Sequence, residues 1–338
     1  MDPFARVPLG GTDVTVTRLG MGLAPIGGLY AAVGDRTAAA AVDEAWRRGV
    51  RFFDTAPLYG AGLSEQRAGA ALRGRPPQSA DPDGFTIATK VGRRIQTPGQ
   101  GRLSPTATEG GDGMWAESRG DAVWDFSAEG VRESHRESLE RLGLERVDIL
   151  HLHDPDEHFP QALAEALPVL AELRRAGTVR AVSAGMNQSA MLTEFARTGQ
   201  FDCFLLAGRY SLLDQSGLGD LLPECHRRGI SVIIGGVYNS GILAAPVPGA
   251  TFGYRPASPK MLARAQAMER VCARYDVPLR AAALQFPWGH PAVASVLVGM
   301  RSPEEAADAA AMARVVIPGA LWRDLSAAWL LDPEVPVP

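Results

Sequence analysis

Lysine and cysteine are both scarce in this chain. Arginine carries nearly all of the positive charge, and the 338 residues contain just two lysines, Lys90 and Lys260. The three cysteines, Cys203, Cys225 and Cys272, are odd in number and form no Cys-x-x-Cys pair. That pattern argues against a disulfide framework and against a zinc site, so we expect free thiols and no metal. Lys90 stands at the end of an apolar run. Because lysine is so rare in this chain, that position indicates a role for Lys90 beyond surface charge.

Long hydrophobic runs and a strong charge bias are missing as well. No apolar stretch approaches the roughly 20 residues that cross a bilayer, and segment 1–6 lacks the pattern of a secretory signal. The formal net charge is −4 with acids and bases interspersed, which argues against binding to nucleic acid or to an anionic membrane. No Gly-x-Gly-x-x-Gly follows a strand, so a Rossmann domain is not expected. We expect a cytoplasmic protein that acts on a small-molecule substrate, and the sequence leaves its oligomeric state open.

Short apolar segments alternate with longer segments of helical period. Strands are predicted at 19–24, within 50–60, and at 85–90, 147–153, 179–184, 203–207, 230–234 and 294–298. Helices are predicted at 36–48, 64–72, 128–142, 161–176, 191–198, 218–228, 259–275 and 303–313. This order is typical of βα units around a parallel sheet, and α/β barrels commonly reach this length as one domain. The predicted fold class is therefore α/β, with 1–338 as a single domain and a hairpin at 9–14.

One connection breaks this rhythm. The segment 92–127 is far longer than a normal βα connection, is rich in Gly, Pro, Ser and Thr, and contains Trp115, Trp124 and Phe126. Because it leaves directly after Lys90, we interpret it as a lid loop whose aromatic side chains bind the substrate. The alternative is that these rings only fix the loop to the rim of the barrel.

Polar side chains stand at the ends of three consecutive predicted strands. The run 50–60 contains Asp54 and Tyr59, the next strand ends at Lys90, and the third ends at His153. In a parallel barrel these positions meet at the carboxyl ends of the strands, where barrel enzymes place reactive groups. Taken singly, each has an ordinary structural explanation, such as a turn residue or a buried histidine. His151 points to the same side of its strand as His153, and we interpret it as part of the barrel interior.

The order and context of these four side chains resemble the aldo-keto reductase superfamily. The similarity runs from 6–10 through 54–60 to 302–305, and the segments 151–156 and 284–287 are most similar to the L-fucose, D-threo-aldose and L-galactose 1-dehydrogenases. The resemblance implies a (β/α)8 TIM barrel with an N-terminal β-hairpin cap and a long loop after the third strand. It also implies a nicotinamide cofactor.

The resemblance further implies a role for each of the four side chains. Hydride transfer at a carbonyl carbon needs a matching proton transfer at its oxygen, and Tyr59 would donate or accept that proton. Lys90 would lower the pKa of Tyr59, and Asp54 would hold Lys90 in place. His153 would orient the substrate oxygen as a neutral imidazole. Tyr59 and His153 are therefore the expected catalytic contacts with the substrate.

Cofactor contacts are implied across the barrel mouth. Those expected at the nicotinamide and the pyrophosphate are Gly22, Leu23, Gly185, Met186, Asn187, Arg209, Gly236, Val237, Tyr238, Asn239, Ser240 and Gly241. Those expected at the adenosine are Val298, Gly299, Met300, Arg301, Glu304 and Glu305. Gly235 stands where an aromatic residue often stacks on the nicotinamide, and we expect Tyr238 to compensate.

The adenosine end bears on the choice between NAD and NADP. Superfamily members that prefer NADPH carry basic side chains within 298–305, where this chain has Gly299 and Glu305 at the two aligned positions. A carboxylate repels a 2′-phosphate but accepts hydrogen bonds from a free ribose. We therefore predict NAD as the preferred cofactor, with Arg301 as the residue that opposes this preference. The alternative explanation for Glu305 is stabilisation of a helix N-terminus.

These expectations lead to an NAD(P)-dependent oxidoreductase. It would oxidise the C1 hydroxyl of an aldose of the L-fucose or D-threo-aldose type to a lactone, with Tyr59 as acid and base. The alternative is NAD(P)H-dependent reduction of an aldehyde or ketone, including a specialised metabolite or a pyridoxal-like substrate. Two hypotheses come from other classes: a cofactor-binding regulatory subunit, since the superfamily includes channel-associated β subunits, and a lyase that uses Lys90 as a Schiff base.

Overall fold

Eight parallel strands close into a barrel and follow one another around it in chain order. A computed structural model describes residues 1–96, 116 and 121–338. The barrel strands are Leu19–Gly22, Phe52–Asp54, Thr86–Val91, Val147–His153, Val179–Met186, Cys203–Ala207, Ser231–Gly235 and Val293–Gly299. Each overlaps a predicted strand, so the predicted α/β barrel is confirmed.

Helices pack around the outside of this barrel. They are Asp35–Arg48, Leu63–Leu72, Ala128–Leu142, Leu167–Arg175, Ser189–Arg197, Leu221–Arg228, Pro259–Ala273, Leu279–Gln285, Pro303–Met312 and Gly319–Ala327. Shorter helical turns are Pro25–Gly27, Asp156–His158, Phe159–Gln161, Ser216–Leu218 and Phe286–Gly289. Ser127, Ser258 and Ser302 cap three of the long helices, because each hydroxyl accepts a hydrogen bond from a backbone N–H in the first turn.

The helices depart from the sequence prediction at three places. Leu279–Gln285 and Gly319–Ala327 are not predicted, and the first is buried along most of its length, so it lacks the one-sided apolar period that marks a helix. The predicted helix 161–176 contains a wider turn over Ala162–Ala166. Pro168 follows that turn, and its missing N–H removes one hydrogen bond from the regular helical ladder.

A β-hairpin closes the amino end of the barrel. Arg6–Pro8 pairs antiparallel with Thr15–Thr17, which confirms the predicted hairpin cap. The N–H of Gly10 donates to Ser231 Oγ at 2.8 Å, and the hydroxyl of Thr86 donates to the carbonyl of Thr15 at 2.7 Å. Ser231 and Thr86 begin barrel strands, so the hairpin lies at the end opposite to Asp54, Lys90 and His153.

Apolar side chains fill the barrel above this hairpin. Leu9 and Val14 of the hairpin pack with Phe52, Ile149 and Leu297 inside the barrel, and a larger cluster of buried apolar residues packs the strands against the helices. All three cysteines are buried free thiols. Within the described ranges, no helix combines the length and the apolar composition that crossing a membrane requires.

A two-stranded ribbon leaves the carboxyl end of the third barrel strand. Arg93–Gln96 pairs antiparallel with Asp121–Trp124, so that Arg93 stands opposite Trp124. The predicted lid at 92–127 therefore begins and ends in regular structure. Trp115 lies outside the described residues.

A close approach between two helices generates a stability prediction. A Cβ added at Gly69, in Leu63–Leu72, would stand 2.0 Å from the carbonyl oxygen of Leu142. A glycine-to-alanine change in an exposed helix normally stabilises the helix by about 1 kcal/mol. At Gly69 we expect the opposite, because overpacking should lower the free energy of unfolding of Gly69→Ala by about 1–3 kcal/mol. Urea unfolding measures this, with Gly11→Ala, which has open space around its Cβ, as the control. Equal stability of Gly69→Ala and the wild type would contradict the packing.

Candidate active site

A buried ion pair joins the second and third barrel strands at their carboxyl ends. Lys90 Nζ lies 2.6 Å from Asp54 Oδ1 and donates a second hydrogen bond, 2.8 Å long, to the carbonyl of Thr55. The two side chains are 2% and 4% exposed. Burial raises the pKa of Asp54, but the charge of Lys90 and hydrogen bonds from His151 and Lys90 outweigh it, so this pKa lies below its usual value. Asp54 is therefore ionised at neutral pH.

Tyr59 reaches the same point from the turn after the second strand. The N–H of Thr55 donates to the carbonyl of Ala88 at 2.9 Å, which extends the strand pairing by one residue before the chain turns. The ammonium of Lys90 lies 4.9 Å from the centre of the Tyr59 ring. Gly27 packs closely against this turn, since a Cβ there would stand 2.8 Å from the carbonyl oxygen of Tyr59. These contacts fix the phenol beside the ion pair.

The pKa of Tyr59 is raised, whereas the sequence analysis expects Lys90 to lower it. Burial raises this pKa well above its usual value, and the carboxylates of Asp54 and Asp154 add to the shift. Arg93 opposes it in part. We attribute the difference first to burial and then to Asp54, which lies 2.6 Å from the ammonium of Lys90 and balances its charge. The phenol is consequently protonated at neutral pH.

His153 faces Tyr59 at the barrel mouth. The centres of the two rings are 6.1 Å apart and their planes meet at 89°. Burial lowers the pKa of His153 well below its usual value, and the positive charges of Arg93 and Lys90 lower it further. The imidazole is therefore neutral at pH 7 and hydrogen-bonds without carrying charge.

His151 lies in the barrel interior and also contacts the ion pair. Its Nε2 is 3.4 Å from Asp54 Oδ2, and its Nδ1 is hydrogen-bonded to Ser183 Oγ at 2.7 Å. His151 stands opposite Lys90 in the strand register. Side chains alternate between the two faces of a strand, which places His151 inside the barrel. Its contact with Asp54 depends on the stagger between strands, which the sequence does not reveal.

Arg93 and Asp154 complete the mouth, and the sequence analysis assigns neither of them. Arg93 Nη2 lies 2.6 Å from Asp154 Oδ2, and the guanidinium sits 3.8 Å above the centre of the Trp124 ring. Asp154 directly follows His153, and Arg93 begins the ribbon after the third strand. Their positions next to strand ends are the sequence signal that could have found them.

Of the two described lid aromatics, Phe126 is packed differently from the prediction, whereas substrate binding by the half-buried Trp124 stays a prediction. Phe126 is fully buried, and it covers Gly92 so closely that a Cβ on that glycine would stand 2.1 Å from the ring. Trp124 stacks on Phe126 with ring centres 6.0 Å apart. Phe126 thus fixes the ribbon to the barrel rim, and a buried ring of this kind does not contact a substrate. The structure favours the alternative explanation for Phe126.

The predicted cofactor residues lie around the same rim. Gly22, Met186 and Gly299 end the first, fifth and eighth barrel strands. Five of the predicted side chains are buried and apolar, so they offer a cofactor their backbone atoms: these are Leu23, Met186, Val237, Val298 and Met300. Asn187 donates to the carbonyl of Ala207 at 2.8 Å. Arg209 pairs with Asp214 at 3.0 Å.

Four residues of the loop 236–241 lie in the left-handed region. The φ angles of Gly236, Asn239, Ser240 and Gly241 are 66°, 46°, 62° and 107°. Two N–H groups of the loop are used within it, since Asn239 donates to the carbonyl of Gly236 at 2.9 Å and Gly241 donates to that of Tyr238 at 3.0 Å. Asn239 is fixed in place because its side chain accepts from Ser211 Oγ at 2.5 Å. Contact of this loop with the pyrophosphate of a dinucleotide stays a prediction.

The ring of Tyr238 packs against the main apolar cluster. Burial raises the pKa of Tyr238, and the charges that act on it come from Asp308 and Arg280 on outer helices. We therefore do not expect Tyr238 to replace the stacking aromatic that Gly235 lacks.

Arg301 and Glu305 form a pair at the start of the helix Pro303–Met312. Glu305 accepts from the N–H of Arg301 at 2.8 Å, and its carboxylate lies 2.9 Å from Arg301 Nε. Glu304 is exposed, and a hydrogen bond from Ser302 lowers its pKa. Glu305 thus engages the guanidinium of Arg301, a cation that would otherwise attract a phosphate.

Comparison with known proteins places this chain in a family. The model of the aldo/keto reductase family matches residues 18–329. Pyridoxal 4-dehydrogenase of Microbacterium luteolum is 39% identical over 96% of this chain and 97% of its own, and D-threo-aldose 1-dehydrogenase of a Pseudomonas species is 38% identical over 94% and 95%. A solved aldo-keto reductase of Bacillus halodurans, in its holo form, has a TM-score of 0.74 at 25% identity and covers 98% and 97%. The chain therefore belongs to the aldo/keto reductase family and is an NAD(P)-dependent oxidoreductase that acts on a small molecule.

Proposed function

We propose that this enzyme oxidises the C1 hydroxyl of a cyclic aldose to a lactone. The observation that carries the proposal is the convergence of Tyr59 and His153 above the pair of Lys90 and Asp54. One substrate oxygen between the phenol and the imidazole has a proton-transferring group on one side and a neutral hydrogen-bonding group on the other. Hydride transfer to or from a carbonyl carbon requires that combination.

The proton and the hydride leave the substrate by separate routes. The C1–H bond breaks with its electron pair, while the hydroxyl proton moves to the phenolate oxygen of Tyr59 and the C1–O bond becomes a carbonyl. A bound nicotinamide supplies the hydride acceptor and, in its oxidised form, a positive charge. His153 holds the reacting oxygen in position. The phenol is protonated at neutral pH, so it must first lose its proton to solvent water, and this is the demanding step of oxidation.

The same observation favours a second candidate, the reduction of an aldehyde or ketone. In that direction the neutral phenol of Tyr59 donates its proton to the carbonyl oxygen as the hydride reaches the carbon. The protonated phenol is the form present at neutral pH. Oxidation and reduction use the same side chains, so the supply of cofactor and substrate decides the direction.

The substrate class is inferred from two relatives. One is named for D-threo-aldose and the other for pyridoxal. An aldose closes on itself to a cyclic hemiacetal, and pyridoxal, which carries a hydroxymethyl group beside its aldehyde, closes in the same way. Oxidation of a cyclic hemiacetal to a lactone is a reaction open to both compounds, and we propose it for this enzyme.

NAD is the proposed cofactor. Glu305 holds Arg301 at 2.9 Å, so the cation nearest the expected adenosine site is engaged by a carboxylate. A 2′-phosphate would have to displace that carboxylate, whereas a free ribose hydroxyl can donate to it. The pair therefore supports a preference for NAD over NADP.

A first test follows nicotinamide absorbance with NAD and NADP offered separately against L-fucose, D-arabinose, L-galactose and pyridoxal. We expect reduction of the cofactor by at least one of them, and we expect Tyr59→Phe to lower kcat by at least about 100-fold, since general acid–base groups contribute that much. Tyr275→Phe, which removes a hydroxyl bonded to Asp324 on an outer helix, is the matched control. Full activity of Tyr59→Phe would contradict the proposed role of the phenol.

A second test exchanges the charge at the expected adenosine site. Glu305→Arg frees Arg301 and adds a cation, so we expect the ratio of kcat/KM with NADP to that with NAD to rise by at least about tenfold, the effect of one charge-assisted hydrogen bond. Glu269→Arg makes the same change of charge at an exposed position on another helix. If both variants keep the wild-type ratio, Glu305 does not determine cofactor preference.

A further inference from the structure

Asp154 stands beside His153 and has no part in the proton transfer described above. Its Oδ2 lies 3.7 Å from His153 Nε2, and a quarter of its side chain, 25%, is exposed. Its φ angle is 43°, and its N–H donates to the carbonyl of Gly185 at 3.0 Å. Aspartate tolerates this left-handed conformation better than most residues. The carboxylate is thereby held beside the histidine at the mouth of the barrel.

Arg93 fixes the same carboxylate from the ribbon. Its guanidinium donates to Asp154 Oδ2 at 2.6 Å and lies over Trp124, and Phe126 anchors that end of the ribbon to the barrel rim. Asp154 is therefore positioned both by its own backbone and by a neighbouring cation. A carboxylate has about four acceptor positions on its two oxygens, so an Asp154 held in this way still has the capacity to bind a ligand hydroxyl.

We propose that Asp154 selects substrates that carry a hydroxyl group on the carbon next to the reacting one, which in an aldose is the C2 hydroxyl. This inference rests on the proposed function, in which His153 binds the reacting oxygen. Oxygens on adjacent carbons lie about a hydrogen-bond length apart, and His153 Nε2 and Asp154 Oδ2, which would each bind one of them, are separated by 3.7 Å. The two residues thus bind a vicinal pair of oxygens, one through the imidazole and one through the carboxylate.

The chemistry of the acceptor makes this selection strong. A hydrogen bond to a charged group contributes more than one between neutral groups, and a site built to bind a hydroxyl discriminates against the analogue that lacks it. The partly buried carboxylate of Asp154 loses contact with water when a substrate enters, and a substrate without the hydroxyl does not replace the hydrogen bond that the water made. We expect a difference of about 10- to 100-fold in kcat/KM.

The test uses two pairs of substrates that differ by one hydroxyl. D-arabinose and 2-deoxy-D-ribose differ at C2 and are offered with NAD and NADP. Lactaldehyde and propanal differ at the carbon next to the carbonyl and are offered with NADH and NADPH. We expect the wild type to prefer the hydroxylated member of the pair it turns over, and Asp154→Asn to bring the ratio of kcat/KM close to one through loss with that member. Glu157→Gln, an exposed acid in the following turn, should keep the wild-type ratio.

Three outcomes separate the inference from the function on which it rests. Equal kcat/KM for both members in the wild type overturns the inference and leaves the oxidoreductase proposal standing. An unchanged ratio in Asp154→Asn, including an equal loss with both members, does the same, because Asp154 would then not distinguish the two substrates. No turnover of any sugar, pyridoxal or aldehyde overturns the proposed function itself. Circular dichroism and the thermal midpoint of each variant verify that it is folded.

Discussion

The contact between Lys90 and Asp54 is the constraint on which the barrel mouth depends. It joins the ends of two adjacent strands at 2.6 Å and is shielded from water. Removing one partner of such a pair leaves an uncompensated buried charge, at a cost of about 3–5 kcal/mol. His151 contacts the second oxygen of Asp54, and the Tyr59 ring lies beside the ammonium. The pair thus fixes where the phenol stands relative to the strand that carries His153.

Burial and the charges around this pair also set the protonation of its neighbours. Burial raises the pKa of Tyr59 and the carboxylate of Asp54 adds to the shift, so the phenol keeps its proton at neutral pH. Burial and the nearby cations keep His153 neutral. Two neutral groups therefore face the substrate above a charged pair. This arrangement suits proton donation to a carbonyl directly, and it makes oxidation depend on the factors that favour the phenolate, among them the charge of an oxidised cofactor.

The strands and the residues at their ends were readable from the sequence, whereas the contacts between connections were not. The position of Lys90 at the end of an apolar run follows from local pattern, and the helix Ala128–Leu142 has the predicted bounds. The position of the Phe126 ring could not be predicted in this way, because whether an aromatic side chain faces a ligand or the core depends on how the ribbon packs on the barrel. Asp154 and Arg93 meet across two connections, and the raised pKa of Tyr59 depends on its burial and then on its distances to three charged neighbours.

The pH dependence of the free energy of unfolding of Lys90→Met tests the central claim most directly. In the wild type the folded pKa of Asp54 is below its ordinary value of 3.8, so its contribution is present above that pH and is lost only in stronger acid. In Lys90→Met, burial raises this pKa, and we predict a deficit of about 3–5 kcal/mol at pH 8 that shrinks towards pH 4. Adding Asp54→Asn should remove this pH dependence. A deficit that is constant from pH 4 to pH 8, or no deficit, would contradict the account.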